Sequence, residues 1–108
     1  MSVEKQEIEV QASRRFDKAL KKLTDEMLDV VDDQVDLIID NPEIGERKKG
    51  DLNYLQVHKF KHEGQEWLLG YSFDEGHLVL SLLQLGSHEN YYSEAKKKRK
   101  VDLKLIQP

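Results

Sequence analysis

Residues 54–85 read "YLQVHKFKHEGQEWLLGYSFDEGHLVLSLLQL", and this stretch decides the fold. Three runs rich in apolar and aromatic residues are separated by two short turns, "HEG" and "DEG", each with one glycine. In the first run, Leu55 and Val57 alternate with His58 and Phe60, so the two pairs belong to opposite faces of a strand. Runs of this kind joined by short glycine-containing turns are typical of β-hairpins. The stretch therefore predicts three consecutive strands in an antiparallel meander.

The residues before the meander predict one strand and two helices. "QEIEVQA" at 6–12 alternates as a half-buried strand does, and residues 13–40 carry an apolar stripe of helical period. Thr24 followed by two acidic residues is typical of a helix start, so we expect helices at about 13–22 and 25–40. Asn41 and Pro42 end the second helix, because a residue before proline avoids helical geometry.

The resulting order is β-α-α-β-β-β, an α+β fold in which a helical hairpin covers one sheet face and the other face stays partly free. Residues 43–53 predict a loop with three clustered cations. Residues 88–100 predict a short basic C-terminal helix, and "VDLKLIQP" at 101–108 predicts a short strand or a frayed tail. We expect a single domain at 1–98, with a basic C-terminal extension at 99–108.

Composition limits the possible functions. A chain of 108 residues fits one core, and the absence of cysteine excludes disulfides, thiolate catalysis and thiolate metal sites. The apolar runs are shorter than the roughly 20 residues of a membrane span, and the start has no apolar signal region, so we expect a cytoplasmic protein with no membrane partner. Residues 1–45 hold 12 acidic and 6 basic residues, whereas residues 46–108 hold 9 and 11. No basic residue lies between Lys22 and Arg47, so that acidic element should repel phosphate and any phosphate-binding face must be built from the rest of the chain.

Several segments in this order resemble the RelE/ParE superfamily of bacterial type II toxins. They are "FDKALKKL", "DNPEIGERKKGDL", "HKFK", "WLLGYSF" and "LLQLGSHENYY", which together span roughly residues 6–98. The resemblance implies a toxin that acts in the bacterial cytoplasm and is neutralised by a cognate antitoxin protein. RelE-like and YafQ-like members cut mRNA on the ribosome without a metal or cofactor, and ParE-like members inhibit DNA gyrase instead.

The resemblance also implies the site residues of such a nuclease. His88 stands where YafQ-like toxins carry their acid histidine, and Tyr92 matches the aromatic residue that positions the substrate. Lys59 and Lys61 match the basic strand of RelE-like members, where His58 is the alternative base. The predicted RNA-binding residues, in a loop, on a strand and around the last helix, are Arg47, Lys48, Lys49, His58, Tyr91, Lys96, Lys97, Lys98 and Arg99.

These residue types suit metal-free RNA cleavage. The reaction needs a base for the ribose 2′-hydroxyl, cations for the charged phosphorane and an acid for the leaving 5′-oxygen. A histidine is partly protonated near neutral pH, and an aromatic ring can stack on a splayed base. The segment "SHENYY" at 87–92 supplies both just beyond a strand, where a rigid sheet can orient them. We expect no cofactor, and the spacing of the four histidines predicts no metal site.

Other interpretations remain open from the sequence alone. His88 is equally consistent with a cap of the last helix, and one of Tyr91 and Tyr92 is expected to pack inward, with Tyr92 facing the site. RelE-like nucleases commonly carry an arginine directly after the aromatic residue of the third strand, and here Leu68 follows Trp67. Because of this departure, two alternatives to the nuclease remain open: a ParE-like gyrase inhibitor without nuclease chemistry, and an inactive relative retained for antitoxin binding.

Overall fold

The computed structural model describes residues 7–107 and confirms the predicted α+β class, with one short strand between the helical hairpin and the meander that was not predicted. The helices and strands are β1 (Glu9–Ala12), α1 (Arg14–Lys21), α2 (Asp25–Asp40), β2 (Glu46–Arg47), β3 (Gln56–His62), β4 (Gln65–Asp74), β5 (Val79–Gly86), α3 (Tyr91–Lys97) and α4 (Arg99–Ile106). A 3-10 turn covers Gly50–Leu52. Gln6, the first residue of the predicted first strand, lies outside the described residues.

The five strands form one mixed sheet in the order β1-β5-β4-β3-β2. Strands β3, β4 and β5 are the predicted antiparallel meander, and β1 pairs in parallel with β5 after the chain has passed through the two helices. The short strand β2 lies inside the segment predicted to be a loop, and it pairs with the start of β3. This pairing brings the loop cations at 47–49 beside the sheet.

The helices α1 and α2 cover one face of the sheet, as predicted. Each begins at a capping hydroxyl: Ser13 Oγ accepts a hydrogen bond from Phe16 N, and Thr24 Oγ1 accepts one from Met27 N. Their apolar stripes pack on alternate residues of the strands, including Phe60, and Trp67 lies partly buried against this core. The hairpin fixes which strand residues face away from it.

The opposite face of the sheet carries a second, smaller core. Leu68 and Leu83 lie fully buried there beneath Tyr91 and Ala95 of α3, and residues of α4 pack at its edge. The prediction of a strand or frayed tail at 101–108 is wrong over the described part of that segment, because residues 101–106 belong to α4, a helix docked on this core; Pro108 lies outside the described residues. Among residues 7–107, no helix combines the length and apolar character needed to cross a bilayer.

The helix α4 is held by a buried ion pair. Asp102 is fully buried, and its two carboxylate oxygens accept hydrogen bonds of 2.6 and 2.8 Å from the guanidinium of Arg15 in α1. The Tyr54 hydroxyl lies 3.4 Å from the same carboxylate, and burial together with Asp102 raises the pKa of Tyr54 to about 12. No local pattern reveals this contact, because Arg15 and Asp102 are 87 residues apart.

Candidate functional site

Tyr92 is the centre of a solvent-facing cluster on the second face of the sheet. Its half-buried ring receives the Lys48 ammonium 5.0 Å from the ring centroid, and the exposed His88 imidazole packs edge-on with 6.2 Å between ring centroids. His88 lies in the short link between β5 and α3, whereas Lys48 follows β2. The structure therefore brings together three of the predicted residues from separate segments.

Lys48 is kept charged by its neighbours. Its ammonium lies 3.1 Å from Glu46 Oε1. Partial burial lowers the pKa of Lys48, but the interactions with Tyr92 and Glu46 outweigh it and raise the pKa above its ordinary value. The same hydrogen bond, with the charges of Lys48 and Lys59, lowers the pKa of Glu46. The cluster thus presents a fixed cation and an ionised carboxylate side by side.

Lys59 on β3 lies level, across the sheet, with Gly86, the last residue of β5, and His88 follows Gly86 by two residues. The register aligns Lys59 with Leu68 and Leu68 with Gly86, so the backbones of Lys59 and Gly86 are about two strand spacings, or about 10 Å, apart. Lys61 lies two residues further along β3, opposite Glu66. Both lysines are exposed on the face that carries the Tyr92 cluster.

Tyr91 fixes the start of α3 and is not available to RNA. Its side chain is 3% exposed, its hydroxyl donates to the Gln84 carbonyl at 2.9 Å, and burial raises its pKa. The Gln84 amide in turn donates to the Tyr91 carbonyl at 2.8 Å and accepts from Arg15. The prediction that Tyr91 contacts RNA is therefore wrong, because a ring packed in the core has no face for a base. The inward orientation expected for one of the two tyrosines is found at Tyr91.

His58 lies on the helix-covered face and not with the cluster. Its Nε2 is 2.7 Å from Gln34 Oε1 of α2, and burial lowers the pKa of its imidazole. His58 was predicted as the alternative base and as an RNA contact, but the structure does not bring it together with the cluster, because alternate residues of β3 point to opposite faces. His58 faces α2, whereas Lys59 faces the cluster.

The predicted cationic contacts fall into two neighbouring groups. Arg47 donates to the Asn53 carbonyl at 3.1 Å, and Lys49 is exposed at the start of the 3-10 turn. The exposed run Lys96–Lys100 covers the end of α3 and the start of α4, and Arg99 Nε donates to the Asp51 carbonyl at 2.8 Å. This hydrogen bond joins the run to the loop that carries the first group, so the cations border one side of the molecule.

One group of side chains approaches the spacing of a metal site. The nearest ligand atoms of Glu26, His62 and Glu63 lie within 4.8 Å of one another, and His62 Nε2 is 3.5 Å from Glu26 Oε2. Glu26 belongs to the first turn of α2, where the positive end of the helix dipole favours a carboxylate without any ion. The group is remote in sequence from the Tyr92 cluster, and we assign no ion to it.

The fold is that of RelE toxins. A mutant E. coli toxin RelE in the free state superposes with a TM-score of 0.67 at 19% identity, over 84% of this chain and 96% of that chain. The intact E. coli RelBE toxin–antitoxin complex gives 0.63 at 17% identity, over 77% and 99%. The RelBE2 complex of Mycobacterium tuberculosis gives 0.59 at 19% identity, over 75% and 98%. A comparison with curated proteins finds no match.

A comparison of the sequence with models of protein families identifies the family of the chain. A family model described as "ParE-like toxin of type II bacterial toxin-antitoxin system" matches residues 10–96. The chain belongs to this family, and it is a toxin of a type II toxin–antitoxin system with the RelE/ParE fold. The superfamily predicted from the sequence is confirmed.

Proposed function

We propose that this toxin is a ribosome-dependent mRNA endoribonuclease that is neutralised by a cognate antitoxin protein. The observation that carries the proposal is the contact of Tyr92 with both Lys48 and His88. The cluster combines a cation for the phosphorane and an exposed imidazole for the leaving 5′-oxygen with an aromatic ring that can stack on a base, which suits metal-free RNA cleavage. The RelE proteins with which the fold is shared occur in complexes with an antitoxin, which supports the same kind of partner here.

In the proposed reaction, the ribose 2′-oxygen attacks phosphorus while the bond from phosphorus to the 5′-oxygen breaks. Glu46 is the carboxylate of the cluster and accepts the proton of the 2′-hydroxyl, a role that His58 cannot fill from the other face. The His88 imidazolium donates a proton to the leaving 5′-oxygen. The products are a 2′,3′-cyclic phosphate and a 5′-hydroxyl. One P–O bond forms and one breaks, so the reaction is balanced without a cofactor.

The cations and the aromatic ring position the phosphate. Lys48 lies nearest the ring and stabilises the charge that develops on the phosphorane, and Lys59 and Lys61 extend the positive field along β3. Removal of one such group typically costs 10²–10³ in rate at comparable sites. Tyr92 stacks on a base next to the cut, a contact typically worth about 1–3 kcal/mol.

The experiment is cleavage of an mRNA bound to purified ribosomes, mapped by primer extension. The wild-type protein is expected to cut the ribosome-bound message, and His88→Ala is expected to lose this activity while keeping its fold. His77→Ala is the matched control, because His77 lies in the exposed turn between β4 and β5 and pairs with Asp74, three residues before it in the chain. An uncut message with the wild-type toxin at stoichiometric concentration would contradict the proposal.

A second candidate is a ParE-like inhibitor of DNA gyrase that carries out no nuclease chemistry. The observation that favours it is Leu68, which is fully buried beneath α3 where RelE-like nucleases commonly carry a phosphate-binding arginine. The matching family model is also named for ParE. Induction of the toxin in cells separates the two: loss of methionine incorporation within minutes supports the nuclease, whereas induction of DNA damage signalling before any loss of translation supports gyrase inhibition.

A further inference from the structure

A β-bulge lies in β5 just before the segment that carries His88. Two neighbouring residues of β4 pair with Leu82 and Gln84, so Leu83 between them has no partner across β4. Strict alternation would place Gln84 on the same face as Leu82, which packs beneath the helical hairpin. Bulges are common next to active sites, where they re-orient a side chain. The bulge therefore lets the Gln84 side chain turn away from that core.

The Gln84 side chain is buried, and each of its polar groups has a partner. Its amide nitrogen donates to the Tyr91 carbonyl at 2.8 Å, and its amide oxygen accepts hydrogen bonds of 3.1 and 3.2 Å from Arg15. The Gln84 backbone carbonyl accepts a hydrogen bond from the Tyr91 hydroxyl at 2.9 Å. Gln84 thus holds both the backbone and the ring of Tyr91, and Arg15 fixes the orientation of the amide.

The segment between β5 and α3 has weak anchors of its own. Residues 88–90 are exposed, and a cleft of about 290 Å³ lies between this segment and Arg15. Helices α1 and α2 each begin at a capping hydroxyl, whereas the Asn90 side chain, which precedes α3, makes no capping hydrogen bond. Asn90 also has a φ of 59°, in the left-handed region. The start of α3 is therefore held through Tyr91 by Gln84 of the neighbouring strand.

We propose that Gln84 is a positioning residue that sets the places of His88 and Tyr92 in the cluster. Tyr91 directly precedes Tyr92, and its backbone nitrogen donates to the His88 carbonyl at 3.4 Å, so a shift of Tyr91 moves both side chains. The inference rests on the proposed nuclease function, in which these two side chains are the acid and the stacking ring. A displacement of a reacting group by about 1 Å can lower a rate about 10²-fold.

The contact between the two rings tests the proposal without any reaction. The centroids of the His88 and Tyr92 rings are 6.2 Å apart, close enough for a nuclear Overhauser effect between ring protons. Gln84→Met keeps the size of the side chain and loses both amide hydrogen bonds. It is expected to lose this effect and to shift the amide signals of residues 87–92. Gln84→Glu, which still accepts from Arg15 but has no amide donor, is expected to do the same.

Gln56→Met is the matched control. Gln56 is also buried in the sheet, and its amide donates to the Pro42 carbonyl at 3.0 Å, just beyond the end of α2. The control is expected to lower stability to a similar degree in urea unfolding and to keep the contact between the two rings. A retained ring contact in folded Gln84→Met or Gln84→Glu, or its loss in Gln56→Met as well, would overturn the proposal.

Cleavage rates separate positioning from a general loss of structure. On an ordinary ribosome-bound message, Gln84→Met is expected to cut about 10²-fold more slowly than the wild type. On a message with sulfur in place of the scissile 5′-oxygen, which needs no acid, the loss should be at least about tenfold smaller. An equal loss on both messages, or no loss on either, would contradict the positioning role. If the wild-type toxin cuts neither message, the nuclease proposal fails, and the ring contact alone decides the role of Gln84.

Discussion

The guanidinium of Arg15 and the carboxylate of Asp102 join the first and last helices through two hydrogen bonds of 2.6 and 2.8 Å. The carboxylate is fully buried, so loss of the partner would leave a desolvated charge. The same guanidinium holds Gln84, which in turn holds the backbone and hydroxyl of Tyr91. Arg15 therefore contributes to the docking of α4 through its ion pair with Asp102 and is connected through Gln84 to the start of α3.

Asp102→Ala is expected to lower the free energy of unfolding by about 3–5 kcal/mol, because Arg15 is left without its counter-charge in a largely buried place. Urea unfolding followed by tryptophan fluorescence measures this. Lys104→Ala on the same helix is the control and should stay within about 0.5 kcal/mol of the wild type, since Lys104 is exposed. A loss below 1 kcal/mol in Asp102→Ala would show that α4 is not held by this pair.

Gly70 provides the space that Tyr91 occupies. A Cβ atom at Gly70 would lie 2.5 Å from the Tyr91 hydroxyl oxygen and 3.1 Å from Leu55 Cδ1, and the hydroxyl is fixed by its hydrogen bond to Gln84. Gly70→Ala is therefore expected to destabilise the protein by about 1–3 kcal/mol.

The same substitution is expected to shift the amide signals of residues 91–97, because α3 must move with Tyr91. Gly76→Ala is the matched control, since the nearest atom to its added Cβ lies at an ordinary 3.5 Å. Unchanged spectra and stability in Gly70→Ala would mean that Tyr91 does not set the position of α3.

The sequence predicted the sheet and the helical hairpin because their signals are local. The turns at 63–64 and 75–78, the cap at Thr24 and the alternation around Val57 each act within a few residues. The helix α4 was missed because its weak apolar pattern gains stability from packing on the second core and from Asp102 meeting Arg15, contacts that are distant in sequence. Strand β2 was missed because two residues carry no periodicity.

The site shows the same division between local and distant signals. His88 and Tyr92 were noticed because they follow a strand end at helical spacing, but nothing in the sequence singled out Lys48 from its two neighbours. Lys48 reaches Tyr92 because β2 adds to the sheet beside β3. His58 was misplaced as a site residue because the sequence did not show which face of β3 the helices cover.

The stability of the fold is expected to fall as the pH drops below about 6.5, the ordinary pKa of histidine. Burial under α2 lowers the pKa of His58, so the unfolded chain takes up a proton that the folded protein does not, and protons therefore favour unfolding in this range. His58→Gln removes the titrating group and should flatten the pH dependence. Urea midpoints of both proteins between pH 5 and 8 are the measurement. An identical pH dependence in the two proteins would contradict the assignment.

RNA binding through the basic run is expected to depend strongly on salt. Lys96 and Lys97 are exposed on α3, and loss of each phosphate contact should reduce the slope of log K against log salt by roughly 0.7 for single-stranded RNA. Fluorescence anisotropy with a labelled oligoribonucleotide gives the slope for Lys96→Ala and Lys97→Ala. Lys22→Ala, at the far end of α1, is the control and should keep the wild-type slope. Equal slopes in all variants would show that Lys96 and Lys97 do not contact RNA phosphates.

The role of His88 as the acid is tested most directly by a message whose scissile 5′-oxygen is replaced by sulfur, a leaving group that needs no proton. On the ordinary message, His88→Ala is expected to cut about 10²–10⁴-fold more slowly than the wild type. On the sulfur-substituted message it should regain nearly the wild-type rate, whereas Lys48→Met, which lacks the phosphorane cation, should stay slow on both. Wild-type cleavage of the ordinary message by His88→Ala, or no recovery on the sulfur-substituted one, would contradict the account.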